Sequence, residues 1–198
     1  MKRLSIYIIL LILWLIPSTI LFADNYRIDT EGAHASINFK IKHLGYSWLT
    51  GRFNRFKGGF SYDPRNPGKT SIEITVQTAS IDSAHAERDK HLRSRKFLDV
   101  RKYPEAKFIS TSYKQTSKTT GILSGKLTLH GVSKPVSMRI KQIGAGKDPW
   151  GGFRRGFETE FKIRLHDFGI KHSLGSASEE LIMTIYLEGI KDHTYVVP

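Results

Sequence analysis

The 198-residue chain contains no cysteine. That excludes a disulfide framework and a thiolate metal site, and it fits any compartment. Acidic residues are scarce: 18 Asp and Glu stand against 31 Lys and Arg, a formal charge of +13. Such an excess fits nucleic acid, an anionic membrane surface or an anionic small ligand, and equally the solvated outer faces of strands. No Pro- or Ser-rich linker and no internal repeat divides the chain, so its length points to one domain. Hydrophobic residues at 39% and charged residues at 25% are ordinary for a soluble globular protein.

Motifs that carry chemistry are also missing. No serine sits in a G-x-S-x-G elbow, and Ser133 lies in GVSKP, a turn before a proline. Eight histidines include no H-E-x-x-H. His85 and His91 are six apart and face different ways on a helix. His166 and His172 flank DFGIK without a placed carboxylate, which makes a weak metal site. Gly144-Ala145-Gly146-Lys147 lacks the first glycine and the final Ser/Thr of a phosphate loop. Asp167-Phe168-Gly169 spells a kinase triplet by chance, in an all-β setting with none of its partner motifs. These absences give no catalytic residue, no metal ligand and no cofactor.

What is present begins with the one long apolar run. Lys2 and Arg3 precede Leu4 to Ile16, then Pro17-Ser18-Thr19 and Ile20-Leu21-Phe22-Ala23. This is the layout of a secretory signal, with cleavage after Ala23 and Leu21 at the −3 position. Residues 1–23 are read as that signal and 24–198 as the domain. An uncleaved anchor is the competing reading, and Pro17 interrupts it. Either one delivers the domain across a membrane, which demotes nucleic acid.

The remainder alternates with period two. In HASINFKIKH, Ile37, Phe39 and Ile41 point one way and Asn38, Lys40 and Lys42 the other. Ser71–Thr78, Lys107–Tyr113, Gly121–Gly131, Val136–Ile140, Arg155–Leu165 and Leu181–Gly189 continue the pattern. Trp48–Tyr62 reads as one bent strand, with a bulge between Phe53 and Phe56 restoring register and the pair Gly58-Gly59 bending it. About eight strands with short turns predict an all-β, antiparallel up-and-down barrel, whose interior can hold one small ligand. The inward face offers Ile37, Phe39, Ile41, Phe53, Phe60, Ile74, Val76, Phe108, Leu127, Leu129, Met138, Phe157, Phe161 and Ile163. Periodicity does not separate a filled core from a cavity lined by these side chains. The aromatics of Arg52-Phe53-Asn54-Arg55-Phe56-Lys57 keep that inward phase, which argues against a nucleic-acid-stacking surface.

One stretch breaks the alternation. Ala84–Lys96 is dense in charge and good helix formers, with Glu87→His91 and Asp89→Arg93 at favourable i,i+4 spacing. Ser83 is placed to cap it, and Tyr103-Pro104 forbids helix further on. One short helical segment is predicted.

Five segments then combine: HASINFKIKHLGYSWLTGRF, HAERDKHLRSRKFLDVRKYPEAKFISTS, GKLTLHGVSKPV, DPWGGFRRGFE and DFGIKHSLGSASEE. In this order, over nearly all of 24–198, they resemble the YceI family, and its secreted, periplasmic branch closely. The resemblance implies a lipocalin-like eight-stranded barrel with a helical segment and a long apolar channel. It implies a polyisoprenoid or another long-chain amphiphile as ligand, isoprenoid or quinone binding, transport or storage as the role, and no established enzyme activity. Location in the periplasm, transient contact with an anionic membrane and pairing into a homodimer are the associated expectations. With the ligand's polar head near the mouth, the helix residues Arg88, His91 and Arg93, with His43, are the head-group candidates. The helix becomes a rim or lid anchored by Phe97 and Leu98. Two other readings stay open: an enzyme acting on a prenyl lipid, and a basic envelope-interaction module with a filled barrel.

Overall fold

The computed structural model describes residues 23–172 and 175–197. The segment expected as an export signal lies outside these residues, except for Ala23. Eleven strands and one α-helix follow in chain order: β1 (Asp24–Ile28), β2 (Ser36–His43), β3 (Ser47–Phe53), β4 (Phe56–Tyr62), β5 (Ser71–Gln77), β6 (Ile81–Asp82), α1 (Ala86–Arg93), β7 (Glu105–Gln115), β8 (Thr120–Leu129), β9 (Val132–Lys147), β10 (Phe153–Arg164) and β11 (Glu180–Lys191). All pairings are antiparallel. The order β1-β4-β5-β7-β8-β9-β10-β11 returns to β1, which closes an eight-stranded barrel.

The other three strands extend one end of this ring. β1 pairs the C-terminal part of β11, with Tyr26 opposite Lys191, and β2 pairs its N-terminal part, with Ile41 opposite Leu181. β3 lies between β2 and β6. Each consecutive pair β1/β2, β3/β4 and β5/β6 is therefore one long strand of the up-and-down path, broken in the middle.

Trp48–Tyr62 is corrected here: it is two strands, not one strand with a bulge. Asn54-Arg55 breaks the ladder where the chain changes neighbours from β2 and β6 to β1 and β5. The break is satisfied by backbone bonds, from Asn54 N to Ser80 O at 3.0 Å and from Gln77 N to Arg55 O at 2.9 Å. The Ser80 hydroxyl accepts from Arg55 N at 3.0 Å. β9 also begins earlier than Lys134-Pro135 suggests. Pro135 sits inside it opposite Lys126 of β8. Its missing N–H is harmless because β10 pairs β9 only from Ile140 onward, leaving that edge free.

β5 and β7 pair from Glu73–Ile109 to Gln77–Glu105, whereas β6 pairs only β3. Among the described residues no strand joins β6 to β7, and α1 follows β6 in the chain. The helix is shorter than its charge pattern predicts, and its N-cap is His85, whose Nδ1 accepts from Arg88 N at 3.2 Å. Ser83 is not the cap. It donates through its N–H (2.9 Å) and hydroxyl (2.5 Å) to Asp89 Oδ1, which is buried. Asp89 is thereby removed from the predicted pair with Arg93. Arg93 instead donates to Ala79 O (2.8 Å) and Ile81 O (2.6 Å), and Glu87 pairs with Lys90 (3.7 Å) rather than His91. Side-chain bonds to the neighbouring backbone, not pairs along its own face, hold this helix. Leu98 just beyond it is buried.

Two hairpins turn on paired positive-φ residues, the requirement of a type I′ turn. His130-Gly131 joins β8 to β9, and Leu44-Gly45, followed by Tyr46, joins β2 to β3. A non-glycine residue there costs about 1 kcal/mol. His130 is fixed by Nδ1 near Phe168 O (3.2 Å) and by its ring against Tyr103 at 4.4 Å. Leu44 projects outward, about half exposed.

Asp89→Ala leaves the buried Ser83 donors unpaired, at a cost of roughly 2 kcal/mol. The expected outcome is a lower urea midpoint with the barrel still β by circular dichroism. An unchanged midpoint shows that this carboxylate does not hold the helix.

Candidate functional site

Alternation around a closed barrel turns one face of every strand inward, and here that face is almost wholly aliphatic and aromatic. It encloses a cavity of about 390 Å³. Well-packed cores keep few voids larger than a water molecule, whereas ligand pockets run from ~300 to ~1,000 Å³. The interior is therefore a cavity rather than a filled core. All fourteen inward residues predicted from alternation line it. Their rings pack the wall: Phe39 against Phe53 at 5.9 Å, and Phe60 edge-on to Phe157 at 5.4 Å.

Other lining residues were not singled out. Leu181, Met183, Ile185 and Leu187 of β11 sit at period two, and that signal was available in LIMTIYLEG. Tyr62 and Ile72 continue the phases of Phe60 and Ile74. Leu92, Phe97, Leu98 and Ile170 line the cavity from outside the barrel strands, where period two is silent.

Six polar lining residues gather at the helix end. Of the head-group candidates, His43, Arg88 and His91 border the cavity, joined by Lys42, His172 and Ser178. Arg93 is not among them. Arg88 borders the cavity but is committed: its Nε donates to Ser83 Oγ (2.8 Å) and its Nη2 to Ser83 O (2.5 Å). Both arginines thus serve to fasten the helix. His172 packs edge-on against Phe97 at 4.9 Å, and Ser178 donates to Lys42 O at 2.7 Å. The mouth is framed by the β2–β3 hairpin, the end of α1 and the residues Ile170, His172 and Ser178.

The far end is different. Tyr62 and Tyr113 line it, and burial, then the neighbouring Tyr62, raises the pKa of Tyr113. The buried Thr70 hydroxyl has no hydrogen-bond partner. Behind Tyr62 lies Arg155, 8% exposed, with its guanidinium 4.4 Å from the Tyr62 ring centroid. It donates to Gln142 Oε1 (2.9 Å) and Tyr26 OH (3.4 Å), and no carboxylate pairs with it among the described residues. A charged residue two positions before Phe157, in the apolar phase of β10, was the sequence signal for this end.

Outside the barrel, Asp29, His34 and Glu188 form a cluster of metal-ligand type. The space between the carboxylates is taken by Arg154, whose Nη1 lies 2.6 Å from both Asp29 Oδ2 and Glu188 Oε1; its Nε lies 2.8 Å from Asp148 Oδ2. His34 Nδ1 is 2.8 Å from Asp29 Oδ2. The arrangement ties the β1–β2 loop, the β9–β10 turn and β11 together. Burial pushes the Asp29 pKa up, but hydrogen bonds from His34, Arg154 and Gly32 N outweigh it and hold the pKa at about 2. The folded protein thus binds this proton less tightly than the unfolded chain. Roughly 2 kcal/mol of stability is present above pH ~4 and is lost as pH falls through ~2. Unfolding titrations across that window are expected to show this loss, and Asp29→Asn is expected to flatten it. An unaltered acid limb in Asp29→Asn overturns the assignment.

The model of the YceI-like domain matches residues 26–189. The chain is 53% identical over 169 residues to the protein YceI of Escherichia coli O17:K52:H18, covering 85% of this chain and 88% of that protein. A crystal structure of a Campylobacter jejuni YCEI protein superposes with a TM-score of 0.69 at 28% identity, over 78% of this chain and 91% of that one. A domain from Saccharophagus degradans, described as polyisoprenoid binding and implicated in plant cell wall breakdown, superposes with a TM-score of 0.64 at 15% identity, over 84% and 98% of the two chains. The last of these speaks to the barrel alone, whereas the family match and the Escherichia coli relative span most of the chain. With its apolar cavity inside a closed eight-stranded barrel, the chain belongs to the YceI-like domain family.

Proposed function

We propose that this protein is a non-catalytic carrier that holds a polyisoprenoid lipid or isoprenoid quinone in its barrel, as a periplasmic transport or storage protein. The observation that carries this reading is the cavity of about 390 Å³ with an almost wholly apolar wall. Family membership supports it, as does a barrel of the same fold described as polyisoprenoid binding. A prenyl chain leaving water hides several hundred square ångströms of apolar surface, at roughly 25 cal/mol per Å². Affinity then needs no directional chemistry, in keeping with a wall whose polar groups stand mainly at its ends. With Arg88 and Arg93 bound to backbone and Ser83, head-group contact at the mouth falls to His43, His91, His172 and Lys42. A barrel filled by its own side chains, which the interaction-module reading required, is at odds with the cavity.

Native mass spectrometry of protein purified from its own envelope is expected to show extractable lipid with an isoprenoid mass series. Leu127→Trp, which adds bulk into existing space, is expected to lower lipid retention at least tenfold while leaving thermal unfolding within a few degrees. Repeatedly empty wild-type protein, or full loading of the Trp variant, removes this function.

A further inference from the structure

The tip of the β2–β3 hairpin is built against its own backbone preference. Leu44 and Gly45 have φ of +52° and +85°, closed by a bond from Tyr46 N to His43 O at 3.0 Å. Asn-Gly is the favoured pair in such a turn, and a branched aliphatic residue in its first position is strained. The leucine gains little from the protein in return, since it is 48% exposed and is not part of the apolar core cluster. Its neighbours repeat the anomaly: Tyr46 is 87% exposed and Trp48 49%. The Lys40 and Lys42 ammonium groups lie 5.6 and 5.8 Å from the centre of the Trp48 ring. By contrast, His130 in the equivalent turn position is held by internal contacts.

The hairpin stands at the cavity mouth, since Lys42, His43 and Leu49 line the cavity directly behind it. Across the mouth, residues 86–102 carry seven lysines and arginines against three acids, one of them the buried Asp89. Of the basic residues, Lys90, Arg95, Lys96, Arg101 and Lys102 are exposed. Exposed Trp, Tyr and Leu ringed by cations have the composition of a segment that inserts at an anionic lipid interface. The aromatic and aliphatic groups enter the headgroup boundary and the cations meet lipid phosphates.

We propose that the β2–β3 hairpin, with the basic face of α1 and the turn after it, docks the channel mouth onto the surface of an anionic lipid bilayer. Leu44, Tyr46 and Trp48 enter the interface, so that the mouth opens onto the membrane and not onto water. The lipid-carrier reading gives this docking its purpose, and the test separates the two.

Among the described residues every barrel strand lies within Asp24–Lys191, so the chain from Ala23 onward keeps each of these strands and lacks the apolar N-terminal run. That chain has two tryptophans, Trp48 at the mouth and Trp150, 78% exposed, in the β9–β10 turn. Trp150→Phe and Trp48→Phe each leave one reporter. They are mixed with phosphatidylcholine vesicles, with or without about one-third phosphatidylglycerol, carrying brominated acyl chains.

Quenching of Trp48 but not Trp150 is expected, on anionic vesicles only, and weakening with salt. Leu44→Asn, which suits the positive φ, is expected to reduce vesicle binding at least fivefold, with thermal stability unchanged or raised and lipid loading by native mass spectrometry unchanged. Absence of vesicle binding, quenching of Trp150 in place of Trp48, or full binding by Leu44→Asn overturns the docking surface, including in favour of a protein partner. Loss of cargo from wild-type protein with docking intact counts against the carrier reading alone.

Discussion

β1 pairs with β4 on one side and β11 on the other, and that double pairing closes the sheet. Open sheets leave edges that must be hidden or blunted, whereas a closed ring satisfies its own backbone. Closure at eight strands also sets the interior. The diameter is just large enough that side-chain size decides between a packed core and a void. Phe, Met, Ile and Leu facing one another across the ring leave space here, because the aromatics lean on each other along the wall. Tyr26 and Phe60, for example, stack at 4.7 Å between centroids.

Closure is complete at only one level of the barrel. β2, β3 and β6 prolong the sheet beyond the ring, but among the described residues no strand pairs β6 to β7. A second element is needed there, and a helix suits it because its backbone bonds are internal. Its surface then has to bond to a strand edge that would otherwise stand open. Arg93 supplies donors to the carbonyls of Ala79 and Ile81, and Arg88 binds Ser83. The positive charge of this segment is thus partly structural, with the remainder facing solvent around the mouth.

The parts of the fold governed by alternation were legible from the chain. Every inward residue named from period two reaches the cavity wall, because side-chain phase is a local property that closure preserves. What local patterns do not encode is partner choice. Asn54-Arg55 looks like a bulge until the strand is seen to change neighbours, which depends on residues of β5 and β6 well along the chain. Ser83 is the favoured cap by type, but the buried carboxylate of Asp89 claims it, and the His85 imidazole caps the helix instead. Arg88 and Arg93 read as head-group candidates because their acceptors are a hydroxyl and backbone carbonyls, which leave no trace in charge spacing. Arg155 was visible as a misfit in an apolar phase, but only the fold brings Tyr26, Tyr62 and Gln142 around it.

The near-absence of polar groups along the middle of the wall has a kinetic consequence. A surface that forms no directional bonds gives a hydrocarbon lying against it no preferred longitudinal position, since each stretch of the wall offers the same apolar surroundings as the next. Displacement along the axis then meets small, repeated barriers, as in a lubricated sleeve. Residence time would be governed at the two ends, where hydroxyl, imidazole and guanidinium groups interrupt the smooth lining.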